Sequence, residues 1–236
     1  MGWLRQPAAY PKHRTSKPPR TTTRVATRER SGSGSWGCRR KPLDVGGGHA
    51  QLVGPLVGAG HEVTILGSAE SCVTRLRRFV DTGRCSFQVG NVLALPYADE
   101  AFDVVVSYRL LSHVTDWRRF LRELARVSRW AVLVDYPEIR SLNCLTPYLF
   151  GLKRRVEGNT RHYASFREKD LVRVFQAEGF LPGERFAEFF LPMVVHRTLR
   201  QPGVSSMMES FFRRTGLTPR FGSPVILKLV REGARR

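Results

Sequence analysis

The sequence predicts an α/β fold on a mainly parallel sheet, and three observations carry that prediction. Short apolar runs alternate with amphipathic stretches from Leu43 onward, the pattern of repeated strand–helix units. The first such run ends in an acid and turns through Gly46-Gly47-Gly48 into a helical stretch, a device that exposes backbone N–H groups at a helix start. Phe102-Asp103-Val104-Val105-Val106-Ser107 reads as a strand buried on both faces, as parallel sheets require.

The elements follow in order. Pro42 to Val45 is the first strand, and a helix covers Gln51 to Ala59. His61 to Leu66 is the second strand, ending at Gly67, and a helix runs from Glu70 to Asp81. Cys85 to Val89 is the third strand and Phe102 to Ser107 the fourth. Trp117 to Val127 is amphipathic, with Phe120, Leu121, Leu124 and Val127 on one face and arginines opposite. Ala131 to Asp135 is the fifth strand. Phe166 to Gly179 reads as a helix closed by a glycine. Arg185 to Phe190 and Ser223 to Val230 read as strands flanking a polar helical insert over Ser205 to Arg214, which makes seven strands with a terminal antiparallel pair.

The 236 residues fit one domain with a tail. Residues 1–41 carry Pro7, Pro11, Pro18 and Pro19 and the Ser31-to-Ser35 Gly/Ser run, too little apolar surface to offset the entropy of ordering; disorder is expected there. Three readings of this tail stand side by side: a solvated extension, an organellar transit segment, or a chain start that lies elsewhere. The domain proper is expected over residues 42–236. The formal charge of +19 is concentrated at the ends, with +10 in residues 1–41, +7 in residues 197–236 and only +2 between. A nearly neutral body does not favour a nucleic-acid partner. Cys38, Cys72, Cys85 and Cys144 are widely spaced, which argues against a metal site or a disulfide framework and for reduced thiols in a cytoplasmic protein. No apolar run approaches the ~20 residues of a membrane span.

Leu43-Asp44-Val45-Gly46-Gly47-Gly48-His49-Ala50 resembles the first motif of class I S-adenosylmethionine-dependent methyltransferases, Asp/Glu-x-Gly-x-Gly-x-Gly, with Ala50 at the last glycine position. An acid beside the loop suits a cationic amino-acid tail better than a pyrophosphate. Gly90-Asn91-Val92-Leu93-Ala94-Leu95-Pro96-Tyr97 followed by Phe102-Asp103-Val104-Val105 is similar to the Gly-Asp-x-x-x-Leu-Pro-Phe…Phe-Asp-x-Val segment of methyltransferase type 11 and the quinone-biosynthesis methyltransferases. Leu121 to Val127 and Glu178-Gly179-Phe180 match the same subgroup. The resemblance covers most of the chain and implies a Rossmann-like, doubly wound sheet with S-adenosylmethionine as cofactor.

It also implies site residues: Asp44, Gly46, Gly47, Gly48, Gly67, Ser68, Asn91, Val92, Ser107 and Arg109 around the cofactor. Two departures stand out. The family ends its second strand with an acid that takes both ribose hydroxyls, whereas this chain has Gly67, leaving Ser68 or Glu70 as substitutes and backbone open to the ribose. Asn91 stands where Asp is usual, keeping a carbonyl acceptor for the adenine amino group.

Methyl transfer from a sulfonium needs alignment above all, and a general base where the acceptor must lose a proton. Ligands of open α/β sheets sit beyond the strand C-terminal ends. His113 is therefore the first candidate base, with Asp135 and Tyr108 beside it; Tyr136, His162, Tyr163 and His196 are further residues weighed there, each with an ordinary packing role as the alternative. Phe186, Phe189, Phe190, Leu191 and Met193 read first as core, and as the wall of a pocket for a quinone, phenol or lipid if they line it. The expected function is methyl transfer to a small molecule. The alternatives are an RNA methyltransferase using the basic ends, and a degenerate, non-catalytic cofactor-binding or interaction module, suggested by Gly67 and Ala50.

Overall fold

The computed structural model describes residues 40–48, 50–141, 163–191 and 202–234. The expected tail lies outside the described residues except for Arg40 and Lys41, as do His49, Cys144, His162, Met193 and His196. Seven strands form one sheet: β1 (Pro42–Val45), β2 (Val63–Gly67), β3 (Cys85–Val89), β4 (Phe102–Ser107), β5 (Ser128–Tyr136), β6 (Phe180–Ala187) and β7 (Val225–Arg231). Their spatial order is β3-β2-β1-β4-β5-β7-β6. The first five are parallel, and β7 runs antiparallel to both neighbours. The predicted fold class is therefore the observed one.

The helices are α1 (Val53–Gly58), α2 (Val73–Val80), α3 (Trp117–Val127), α4 (Glu168–Ala177), α5 (Pro202–Arg214) and α6 (Leu217–Phe221). Strand alternation divides the core between the two faces of the sheet. Leu43, Val45, Val105, Val132 and Val134 pack with Phe120, Leu121 and Leu124 of α3 and Leu171 and Phe175 of α4. Val63 and Ile65 pack on the other face with Val53 of α1 and Leu76 of α2. All four residues of β1 are buried, because helices cover both faces and strands flank both edges.

Helix α3 shows how the sequence sets its own limits. The Asp116 carboxylate accepts the Arg119 N–H at 3.2 Å, capping the start. At the other end the Arg231 guanidinium donates to the carbonyls of Ala125 (3.1 Å) and Ser128 (2.8 Å), so β7 satisfies the last turn of a helix about a hundred residues earlier in sequence. A second tie joins four elements. The Tyr136 hydroxyl and Arg185 Nε both donate to Glu168 Oε2, at 2.7 and 2.6 Å, and Arg185 also bonds the Pro219 carbonyl.

Several boundaries differ from those the sequence predicts. Strand β6 begins at Phe180, five residues before the expected Arg185, because Pro182-Gly183 reads as a break. On an edge strand paired only with β7 a proline is tolerated, and the register shifts between Pro182 and Arg185. Phe189 and Phe190 consequently lie past β6. Strand β5 extends from Ser128 to Tyr136, beginning before the expected Ala131 and running one residue past the expected Asp135. The helix expected over Glu70 to Asp81 starts as a 3-10 turn, Glu70–Cys72, before α2. Helix α5 starts at Pro202, and α6 was not anticipated.

Strand direction places the site. The C-terminal ends of β1 to β6 all point the same way, so the glycine loop, the loops after β2, β3 and β4, and the α5–α6 connection share one end of the sheet. The loop after β3 is held from behind by α3. Glu123 accepts the Leu95 N–H at 2.7 Å and pairs with Arg126, whose guanidinium also donates to the carbonyls of Leu95 and Tyr97 and to Asp99. Hydrogen bonding to Arg126 holds the Glu123 carboxyl below its ordinary pKa. Arg126→Ala strands these partners and is expected to destabilise the fold by about 1–3 kcal/mol in chemical denaturation. Arg122→Ala, which removes only a solvated 3.9 Å contact to Glu178, is expected to be near neutral.

Candidate functional site

Three glycines after β1 are each fitted to a different neighbour. Gly46 has φ +86°, and its N–H donates to the Leu66 carbonyl at 2.8 Å, tying the loop to the end of β2. A Cβ there would stand 2.9 Å from Leu110 Cδ2, so the chain after β4 packs directly on this loop. A Cβ at Gly47 would lie 2.1 Å from an Asp44 carboxylate oxygen, and one at Gly48 would lie 2.7 Å from Cys72 Sγ. The loop closes with the Ala50 N–H donating to the Gly47 carbonyl at 2.8 Å, and Ala50 takes φ +56°.

Asp44 is the electrostatic centre of this arrangement. It is only 3% exposed, and burial pushes its pKa up to about 7. A cation beside a carboxylate in that setting would offset the desolvation that burial imposes. Ser107, at the end of β4, is fully buried, and its hydroxyl has no hydrogen-bond partner among the described residues. These two groups, with the glycine loop, are the features here that fit an ammonium-bearing ligand such as S-adenosylmethionine.

The other expected residues fall around this centre as follows. Asp135, 8% exposed at the end of β5, accepts the Arg109 N–H at 2.6 Å through one carboxylate oxygen. Burial raises its pKa to about 6, with the Arg109 hydrogen bond acting in the opposite sense. Arg109 itself has φ +60° and an exposed side chain, so Asp135 holds an uncommon backbone turn in place. Tyr108 is half-buried against Leu52, Val106 and Leu133 on the α1 face. His113 is exposed at the end of the 3-10 turn Leu111–His113, with its ring 5.9 Å from that of Tyr163. Tyr136 is fully buried on the other face and bonded to Glu168, away from the glycine loop. Asn91 is exposed, and its side-chain oxygen accepts the Leu93 N–H at 2.9 Å, so that acceptor already organises a turn; Val92 beside it is half-buried. Gly67 is buried and faces the Phe87 ring, while Ser68 is exposed. Phe190 stacks on Phe212 of α5 at 4.5 Å, and Arg213 lies over Phe186, so part of the expected apolar wall packs under the α5 insertion.

The structure thus gathers Asp44, Gly46, Gly47, Gly48 and Gly67, and adds Leu110, Cys72 and Phe87, which sequence reasoning did not single out. No residue-type signal marks those three as site residues; only the close approach of glycines to them does. Two cavities lie elsewhere. One of about 360 Å³ is lined by Trp117, Ile139, Phe166 and Arg167. The other, about 450 Å³, sits among Lys41, Glu62 and Arg84 at the N-terminal ends of the strands. Among the described residues no helix is long and apolar enough to cross a membrane.

Comparison with known proteins agrees with this geometry. Residues 43–130, from β1 through the start of β5, match the methyltransferase domain family. Ajmaline N-methyltransferase of Rauvolfia serpentina is 44% identical over 45 residues, 19% of this chain and 16% of that protein. Norajmaline N-methyltransferase of the same plant is 44% identical over 45 residues, 19% of this chain and 15% of that protein. This chain therefore aligns with about a sixth of the length of those relatives. Among solved structures, magnesium protoporphyrin IX methyltransferase from Synechocystis PCC 6803 with bound SAH superposes with a TM-score of 0.63 at 16% identity, over 90% of this chain and 83% of that one. The same enzyme is also known with bound SAM. The PH0226 protein from Pyrococcus horikoshii OT3 gives 0.59 at 14% identity, over 90% and 89%. The fold is the class I methyltransferase fold, and the family match within it is confined to residues 43–130.

Two predictions follow from the loop. Below pH 4 the Asp44 carboxyl is protonated in both folded and unfolded chains. Between about pH 4 and 7 only the unfolded chain ionises it, so folding stability falls as pH rises through that window. Asp44→Asn should flatten that slope and, at pH 8, stabilise the ligand-free protein by at most about 4 kcal/mol; parallel denaturation curves at pH 4 and 8 measure it. Ala50→Gly should raise the melting temperature, because glycine relieves a left-handed alanine costing roughly 1–2 kcal/mol, partly offset by the greater freedom of the unfolded glycine chain.

Proposed function

We propose that this chain, which carries a methyltransferase domain in the class I fold, transfers the methyl group of S-adenosylmethionine to a small-molecule acceptor. The observation that carries this reading is the buried Asp44 carboxylate packed on Gly47, within the stretch that matches the family. Asp44 and the Gly46–Gly48 backbone would hold the amino-acid end of the cofactor, with Ser107 supplying a free hydroxyl at the end of β4. Asn91 and Val92 border the site from the loop that Glu123 and Arg126 clamp. The cofactor, when bound, supplies an activated methyl group; the protein supplies alignment and a dry, shaped floor.

For the acceptor, Asp135 is the group best placed to hold a proton near neutrality, since burial brings its pKa to about 6. One of its oxygens is committed to Arg109, which fixes its orientation. His113 and Tyr108 stand on the same connection after β4, His113 toward solvent and Tyr108 toward the α1 face. The relatives act, by their names, on magnesium protoporphyrin IX and on a nitrogen of ajmaline or norajmaline. The aromatic residues beneath α5 support an apolar, ring-bearing acceptor here, such as a quinone or phenol.

Calorimetric titration of S-adenosylmethionine and S-adenosylhomocysteine tests the reading. Micromolar binding is expected, lost in Asp44→Ala. Because Asp44 must ionise to receive an ammonium, affinity should rise as pH is raised from 6 to 8, by up to about tenfold. Absence of binding at millimolar ligand, in protein that melts cooperatively, overturns it.

A further inference from the structure

The end of β2 is closed by an aromatic ring. Gly67 is buried, and a Cβ there would meet Cε2 and Cζ of Phe87 at 2.6 Å and Cys72 Cβ at 3.8 Å. Phe87 pairs with Ile65 and Gly67 with Val89, so the ring leans past its own partner toward the C-terminal end of β2. It is anchored there by the cluster of Val53, Val63, Ile65, Leu76 and Cys85 on the α1 and α2 face. On the other side Cys72 Sγ fills the space beside Gly48. From the glycine loop to β3 the surface is therefore glycine, thiol, glycine and phenyl ring. The polar side chains that follow in the chain, Ser68 and Glu70, are exposed to solvent.

Gly48, Cys72, Gly67 and Phe87 themselves offer that surface no charged acceptor, and an acid grafted onto position 67 would collide with the ring. Resting on the function proposed above, we infer that Phe87 makes this site indifferent to the ribose diol of its cofactor, by occupying the place from which a side chain at position 67 would reach the hydroxyls. The glycine at 67 and the phenylalanine at 87 then form one unit. The glycine is required by the ring as much as the ring is admitted by the glycine. An adenosyl ligand would then be held chiefly by its charged amino-acid end at Asp44.

The test is titration of S-adenosylhomocysteine and its 2′-deoxy analogue into wild-type protein, Gly67→Asp, Phe87→Ala and the double variant, with circular dichroism melts to establish folding. Wild type is expected to bind the two ligands within fivefold of each other. The double variant is expected to prefer the ribose form by roughly 10–100-fold, the worth of a charge-assisted hydrogen bond. Gly67→Asp alone should gain no such preference, because the ring blocks the new carboxylate. Where Phe87→Ala fails to fold, Phe87→Leu replaces it in the series and keeps the core filled. Rejection of the deoxy ligand by wild type beyond fivefold overturns the inference, as does full discrimination by Gly67→Asp alone or none in the double variant. If wild type binds neither ligand, the cofactor reading itself fails and the inference falls with it. Binding of both with discrimination sinks the inference alone.

Discussion

A carboxylate removed from water at the end of β1 is the constraint around which this molecule is arranged. Asp44 lies against the Cα of Gly47, so position 47 has no room for a side chain and the turn must pass directly over the acid. Burying β1 completely requires strands on both edges and helices on both faces, and the seven-stranded order supplies them. The desolvation that raises the Asp44 pKa to about 7 is thus a consequence of topology rather than of any single neighbour. A buried carboxylate with so perturbed a pKa marks this turn as a candidate ligand site.

The remaining ties of the structure serve the loops around that acid. Leu110 and Cys72 wedge the glycine turn from the chains after β4 and β2, and Asp135 secures the turn at Arg109 from β5. Arg126 and Glu123 hold the loop after β3 mainly by its backbone, with Asp99 as the loop side chain that Arg126 also bonds, so the loop's path is fixed from behind. Arg231 and the Tyr136–Glu168–Arg185 cluster do the equivalent work for the antiparallel half, joining β7, α3, β5, α4 and β6. Most of these contacts end on backbone atoms or on a buried partner, where a hydrogen bond counts for more than a surface ion pair.

The α5–α6 insertion enters at the same end of the sheet, because two antiparallel steps return β6 to the direction of β5. Glu209 of α5 accepts the Phe190 and Leu191 N–H groups, both at 3.1 Å, which ties the insertion to the chain leaving β6. Exposed Met207 and Phe211 show that α5 covers the apolar residues after β6 with one side only. This region lies far from β1 in the sheet order and outside the family match over residues 43–130.

The sequence by itself determined the fold class, strands β1, β3 and β4 to the residue, the glycine turn and the acid beneath it. These depend on local patterns: apolar runs of strand length, glycines where backbone must bend, an acid at a strand end. It misplaced the start of β6, because Pro182 and Gly183 break a local pattern that an edge strand tolerates. It left Gly67 as open backbone, since nothing at Phe87, on the next strand in sequence, announces that its ring leans over the end of β2. The pairing of Asp135 with Arg109, the clamp of Arg126 on its loop and the burial that shifts Asp44 were likewise decided by tertiary structure. A side chain's charge is written in the chain, but its solvent and its neighbours are set only when distant segments pack together.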